Sequence, residues 1–171
     1  MTDEIFWAEK PEFWKNKTDG NTLYAAQRKE VRADLFEIAK QYRAKSFADI
    51  GGYDGRIGMG KSYDIIDGFD LTKDWEKQKF KRVDICFTSL VLVAFPPAMV
   101  RHIIYQMYKN THKGIYLFEE AFDPLKYKDG DQVSEHYGGK WAYDWSKMFP
   151  GADINVSTVN DRWVKIWKKL R

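Results

Sequence analysis

The sequence predicts an α/β protein with a mostly parallel sheet, and three features carry that expectation. A short apolar run at residues 46–50 ends in a glycine-rich turn at 51–55, the arrangement of a buried strand feeding a turn close to a ligand. Two stretches of helical periodicity, residues 22–45 and 97–110, alternate with the apolar strand runs 83–93 and 115–118. The alternating runs 154–159 and 162–168 then close the pattern as an antiparallel hairpin, with Asn160-Asp161 as its two-residue turn.

Composition bounds the rest. A chain of 171 residues, 44% hydrophobic and 16% aromatic, fits one globular domain over residues 1–171 with a full core. Its 28 basic and 25 acidic residues are interspersed and leave a formal charge of +3, which gives no electrostatic case for nucleic acid or an anionic membrane. Only residues 165–171 are visibly basic. The single cysteine, Cys86, lies in an apolar run, which excludes an internal disulfide and fits a buried thiol in a reducing compartment. With no leader pattern and no apolar run long enough to span a bilayer, the expectation is a soluble cytoplasmic protein. A homo-oligomer stays open.

Residues 1–21 carry Phe6, Trp7, Phe13 and Trp14 among charges and read as an arm or short helix, followed by a turn and cap at Asp19, Gly20 and Asn21. Val31, Leu35, Ile38, Ala39 and Tyr42 define an amphipathic helix, with Tyr24 and Arg28 near its start. Residues 56–62 leave room for barely two helical turns before a second strand within 63–71. A charged segment with Trp75 and Phe80 precedes residues 83–93, a buried central strand running into a loop. Pro96 and Pro97 open a helix whose buried face is Val100, Ile103, Ile104 and Met107, and His112-Lys113-Gly114 is expected to end it, with Gly114 as a left-handed cap. The next strand delivers Glu119, Glu120 and Asp123 to the sheet edge where open α/β proteins bind ligands. Residues 123–151 read as a substrate-facing insertion, partly helical around 141–149, carrying His136, Tyr137, Trp141, Tyr143 and Trp145. There is no metal-ligand cluster and no serine or cysteine nucleophile constellation in the sequence.

Two motifs and one further region carry a family resemblance. Asp49-Ile50-Gly51-Gly52-Tyr53-Asp54-Gly55 resembles the D-x-G-x-G-x-G motif of class I S-adenosylmethionine (SAM)-dependent methyltransferases, with Tyr53 in place of the middle glycine. Phe69-Asp70-Leu71 resembles the second motif, an acid at the end of the second strand, and Thr88, Ser89 and Leu90 resemble the fourth region, which borders the cofactor. The resemblance implies a Rossmann-like three-layer sandwich, its mostly parallel sheet closed by a C-terminal antiparallel hairpin. Elements after the second strand would be shortened or missing, because residues 72–82 replace a helix and a third strand.

It also implies a site. SAM would contact Asp49, Gly51, Gly52, Tyr53, Gly55, Asp70, Leu71, Thr88 and Ser89. Asp49 suits the ammonium of a bound amino acid, and Asp70 suits the ribose diol, although its distance to the next strand also suits the adenine side. Methyl transfer to an oxygen or nitrogen of a small-molecule acceptor would use His136, Glu119 or Glu120 as base, with Trp14, Tyr24, Tyr137 and Trp141 around the acceptor and residues 1–21 as a lid. Two alternatives remain: a non-catalytic SAM-binding subunit, suggested by Tyr53 and the shortened helices, and a nucleic-acid methyltransferase, suggested by the basic C-terminus. The Phe95-Pro96-Pro97-Ala98 step lacks both the base-amino acceptor and the aromatic platform that amino-methylating nucleic-acid enzymes need.

Overall fold

The structure, a computed structural model, describes residues 21–53, 55–134 and 139–170. Helix α1, Thr22–Tyr42, starts where the Asn21 side chain accepts the Leu23 N–H and stops at Arg43, left-handed at φ 51°. The chain then runs into β1, Phe47–Ile50. Strand β2, Lys61–Tyr63, pairs parallel with β1, joined by residues 51–60 without a helix among their described residues. This corrects the expected two-turn helix: the connection is shorter than the dozen or so residues of an ordinary parallel crossover, so turns alone fit.

Strand β2 stops at Tyr63, and a 3-10 turn, Ile65–Asp67, follows it. Asp70 therefore lies in a later turn and not at a strand end, because Gly68, left-handed at φ 77°, breaks the extended backbone before it. No third strand or α-helix intervenes before β3, Val83–Ser89, as the sequence anticipated. Aromatic rings fill that space: Tyr63 and Phe80 centroids lie 4.4 Å apart, Trp75 and Phe80 4.9 Å, and Phe69 and Trp75 5.8 Å. Trp75 Nε1 donates to the Leu71 carbonyl at 3.0 Å, so the buried indole leaves no orphan donor.

Helix α2, Pro97–Asn110, passes directly into β4, Thr111–Glu120. Gly114 is thus a strand residue and not a helix cap. Its missing Cβ makes room for the Trp167 indole, which would otherwise collide with it. A two-stranded ribbon follows, β5 (Gln132–Ser134) against β6 (Lys140–Trp141), then the short helix α3, Trp145–Met148. Trp141 is consequently extended, where helix was expected. Strands β7 (Asp153–Val156) and β8 (Trp163–Lys169) pair antiparallel, with residues 157–162 between them in place of a two-residue turn. Asn160 closes that loop, its carbonyl accepting the Trp163 N–H at 3.0 Å.

The six-stranded sheet runs β2-β1-β3-β4-β8-β7, parallel through β4 and antiparallel beyond it. Val31 and Leu35 of α1 cover one face with Ile85, Phe87, Tyr116, Phe118 and Trp163. On the other face, Val100, Ile103 and Met107 of α2 meet Ile50, Cys86, Ile115 and Leu117, completing three layers. Alternate residues of each strand go to opposite faces, so Glu119 follows Leu117 to the α2 side and Glu120 faces the other way. Lys165 pins α1 to the sheet through Glu30 and Asp34, each at 3.1 Å, and Asp34 also accepts the Tyr116 hydroxyl at 2.7 Å.

Gly114→Ala is expected to destabilise the fold by ~1–3 kcal/mol, because the added methyl overpacks against Trp167. Urea denaturation of the two proteins reads this directly, and equal midpoints would show that β4 and β8 tolerate the methyl.

Candidate functional site

Parallel strands deliver their carboxyl ends to one edge, and there β1, β2 and β3 surround a cavity of about 580 Å³. That lies within the ~300–1,000 Å³ of small-molecule clefts. Its floor is the turn after β1. Gly51 is left-handed at φ 71°, and a Cβ there would stand 2.5 Å from Val91 Cγ1, while a Cβ on Gly52 would enter the Asp49 carboxylate. The glycines therefore hold the backbone against the third strand and over a buried acid, with Asp49 only 2% exposed.

Three hydrogen bonds among the described residues fasten this turn to β2 and the residue after it, one of them from the Ser62 hydroxyl to the Tyr53 carbonyl at 3.3 Å. Gly51 N–H donates to the Tyr63 carbonyl at 2.9 Å, and Tyr53 N–H donates to Asp64 Oδ2 at 3.0 Å. Tyr53, in the position of the expected middle glycine, is left-handed at φ 56°, and Asp64 supports that backbone. Asp64 also accepts the Ile66 N–H at 3.2 Å, capping the 3-10 turn, and burial raises its carboxyl pKa. It lines the cavity at the true end of the second strand, so it holds the position that sequence reading gave to Asp70. The signal was present in Tyr63-Asp64, but the later Phe69-Asp70-Leu71 resembled the motif more closely.

Asp70 lines the same cavity. Burial pulls its pKa upward, yet the ion pair with Lys73 at 2.8 Å and the Thr72 hydroxyl and N–H at 2.6 and 2.9 Å hold it below the usual carboxylate value. Leu71 and Ser89 are also in the wall, and the Ser89 hydroxyl receives the Gln27 amide from α1. Across the cavity stand Tyr24, Glu120, Lys140 and Trp163. Glu120 pairs with Lys140 at 2.6 Å, and the Tyr24 and Trp163 rings lie 6.1 Å apart. Burial, then the Glu120 charge, raises the Tyr24 hydroxyl pKa. Gln27, Val91 and Trp163 were not anticipated, since nothing in linear spacing marks which core residues end at a shared edge.

Four expected residues lie off the lining. Gly55 is beyond the turn, Trp141 is 8% exposed within the α2-side core, and Thr88 and Glu119 stand fully buried behind the wall. Trp14, His136 and Tyr137 lie outside the described residues. Burial pushes the Cys86 thiol up to about 12, so it is a packing group and not a nucleophile. Among the described residues no His, Cys, Asp and Glu cluster suits a metal ion, and no helix is long and apolar enough to cross a membrane.

No protein-family model matches the chain, and no curated protein matches it. Solved structures do. The mitomycin 7-O-methyltransferase MmcR superposes with a TM-score of 0.61 at 11% identity, covering 99% of this chain and 61% of that one. SAM-bound CalS10, an amino pentose methyltransferase from Micromonospora echinaspora, gives 0.58 at 11% over 93% and 96% of the two chains. The DhpI-SAM-HEP complex gives 0.60 at 9% over 96% and 95%. The chain spans 57% of an O-methyltransferase family protein from Burkholderia thailandensis and 62% of PigF, so its length matches some of these structures and only part of others. At such identities the likeness establishes the fold alone, an α/β architecture that this chain shares with these methyltransferase structures.

Glu119 generates a pH prediction. Burial pushes its carboxyl from 4.5 to about 7, against the hydrogen bonds it accepts. Between those pH values the folded chain holds a proton that the unfolded chain has lost, so unfolding free energy falls as pH rises from about 4.5 to about 7. The drop is on the order of 3 kcal/mol and levels off above it. Urea denaturation across this range is expected to show the fall in the parent protein and a flatter profile in Glu119→Gln; identical profiles would contradict it.

Proposed function

We propose that this chain is a single-domain, cytoplasmic SAM-dependent methyltransferase acting on an oxygen or nitrogen of a small-molecule acceptor. The observation that carries the reading is the convergence of Asp49, the Gly51-Gly52 turn, Asp64 and Asp70 on one cavity at the carboxyl ends of the parallel strands. The residues present fit the cofactor. The glycine turn has its Cβ positions already filled by Val91 and Asp49, leaving a close backbone approach on the cavity side. Asp49 suits the ammonium of the methionine part and Asp64 the ribose hydroxyls. Asp70, one turn further along the wall, suits the adenine side, with Leu71, Ile65 and Ile66 as apolar surface. When bound, SAM supplies a methyl group open to direct displacement.

The protein's own work is then alignment, which can lower such barriers by ~7–11 kcal/mol. Tyr24, Trp163 and the Glu120–Lys140 pair would border the acceptor and exclude water. For a hydroxyl acceptor the proposed bases are His136 and Glu120. His136 lies in sequence between Ser134 and Gly139, both of which line the cavity. A SAM-binding protein without transfer activity is the second reading, favoured by the absence of a helix after the glycine turn among the described residues.

Calorimetric titration with SAM is expected to show one site, weakened at least about tenfold, ~1.4 kcal/mol, in Asp49→Ala and in Asp64→Ala. Unchanged affinity in both variants would mean that the cavity is misassigned. Once an acceptor is found, His136→Ala is expected to slow turnover with cofactor affinity kept. Full activity would remove it from the mechanism, and binding without turnover on any acceptor would leave the second reading.

A further inference from the structure

We propose that Glu119 is a positioning residue for the cofactor cavity: from behind the wall it holds the turn at residues 89–92, and through Val91 it fixes that turn against the glycine turn. The inference deepens the SAM-binding reading and rests on it. Glu119 is fully buried at the end of β4 and lines no part of the cavity. Its Oε1 gathers three donors from the end of β3 and the turn beyond: the Thr88 hydroxyl at 2.8 Å, Val91 N–H at 3.2 Å and Leu92 N–H at 3.1 Å. Between them Leu90 is left-handed at φ 58°, a conformation that a non-glycine residue keeps only when its neighbours impose it. A second tie comes from the same strand, since Leu90 N–H donates to the Phe118 carbonyl at 2.7 Å.

This turn is a cavity wall. Ser89, Leu90 and Val91 all line the cavity, and Val91 Cγ1 sits 2.5 Å from where a Gly51 Cβ would stand. Any shift of Val91 therefore shifts the floor on which the cofactor would rest. A carboxylate suits the task because it only accepts, and several donors can converge on one oxygen. Oε2 meets no hydrogen-bond donor at bonding geometry among the described residues.

The hold depends on charge. Around Glu119, Thr88 of β3, its register partner Val164 of β8, and Leu92 and Val93 of the following 3-10 turn are all uncharged. An ionisable group that feels it is Tyr143, whose hydroxyl donates to the Phe95 carbonyl; burial, then the Asp129 charge, with a further contribution from Glu119, raises that hydroxyl. Burial places the Glu119 carboxyl near neutrality, so the fraction present as carboxylate changes most around pH 7. Only the carboxylate grips the Val91 and Leu92 N–H groups strongly, so the wall tightens as pH rises.

Calorimetry with S-adenosylhomocysteine on the full chain at about pH 6, 7 and 8 tests this. The parent protein is expected to bind up to about tenfold more tightly at about pH 8 than at about pH 6. Glu119→Gln is expected to lose most of that dependence, and Thr88→Val, which removes one donor and leaves the carboxyl, to bind several-fold more weakly with the dependence kept. A Glu119→Gln profile superimposable on the parent's overturns the proposal, as does unchanged affinity in Thr88→Val should Glu119→Gln fail to fold. Absence of binding by the parent at every pH would instead remove the SAM reading itself.

Discussion

The site depends on one constraint: the turn after β1 must lie flat between two neighbouring strand ends. On one side, Gly51 N–H reaches the Tyr63 carbonyl and Tyr53 N–H reaches Asp64, both at the end of β2. On the other, Val91 closes down on Gly51 from the end of β3. A backbone donor left unpaired away from water costs about 1–3 kcal/mol, and on these half-buried residues the bonds hold the turn in place. An acid fixes the backbone on each side: Asp64, just after β2, and Glu119 of β4, which acts through the turn that follows β3.

The abbreviated topology shows what this edge requires. Among the described residues a third strand, its helix and the helix after the glycine turn are absent, yet the acid-lined cavity remains. Burial that those elements would have supplied comes from Tyr63, Phe69, Trp75 and Phe80, whose rings pack on one another beside β2. Side chains of this size stabilise by roughly 1.5–3 kcal/mol each when fully buried. A cluster of them can stand in for a layer of secondary structure. The opposite edge is closed by the antiparallel β8 and β7, tied to α1 through Lys165.

Much of this was legible in the sequence, and the failures have physical causes. Long periodic segments announced themselves: α1, β3 and α2 lie where apolar spacing put them. The absent third strand was readable from the charged residues 72–82, and Asp49, Asp70 and Ser89 do line one cavity. Local turn chemistry misled. Gly114 looked like a helix cap, but its role is set by Trp167, distant in sequence and opposite in space. The two-residue turn expected at Asn160-Asp161 failed similarly, because Asn160 closes a longer loop. Asp64 was overlooked because β2 is only three residues long, so its end could not be located from periodicity. Glu119 and Glu120 could not be sorted from sequence: adjacent strand residues take opposite faces, and only the packed sheet shows which face holds the cavity.

A crystal structure of the protein with S-adenosylhomocysteine is the most direct test of the account. The ligand is predicted to lie over the Gly51-Gly52 turn, with its ribose hydroxyls on Asp64 and its amino group beside Asp49. A ligand bound elsewhere on the surface, or ribose hydroxyls directed away from Asp64, would contradict it.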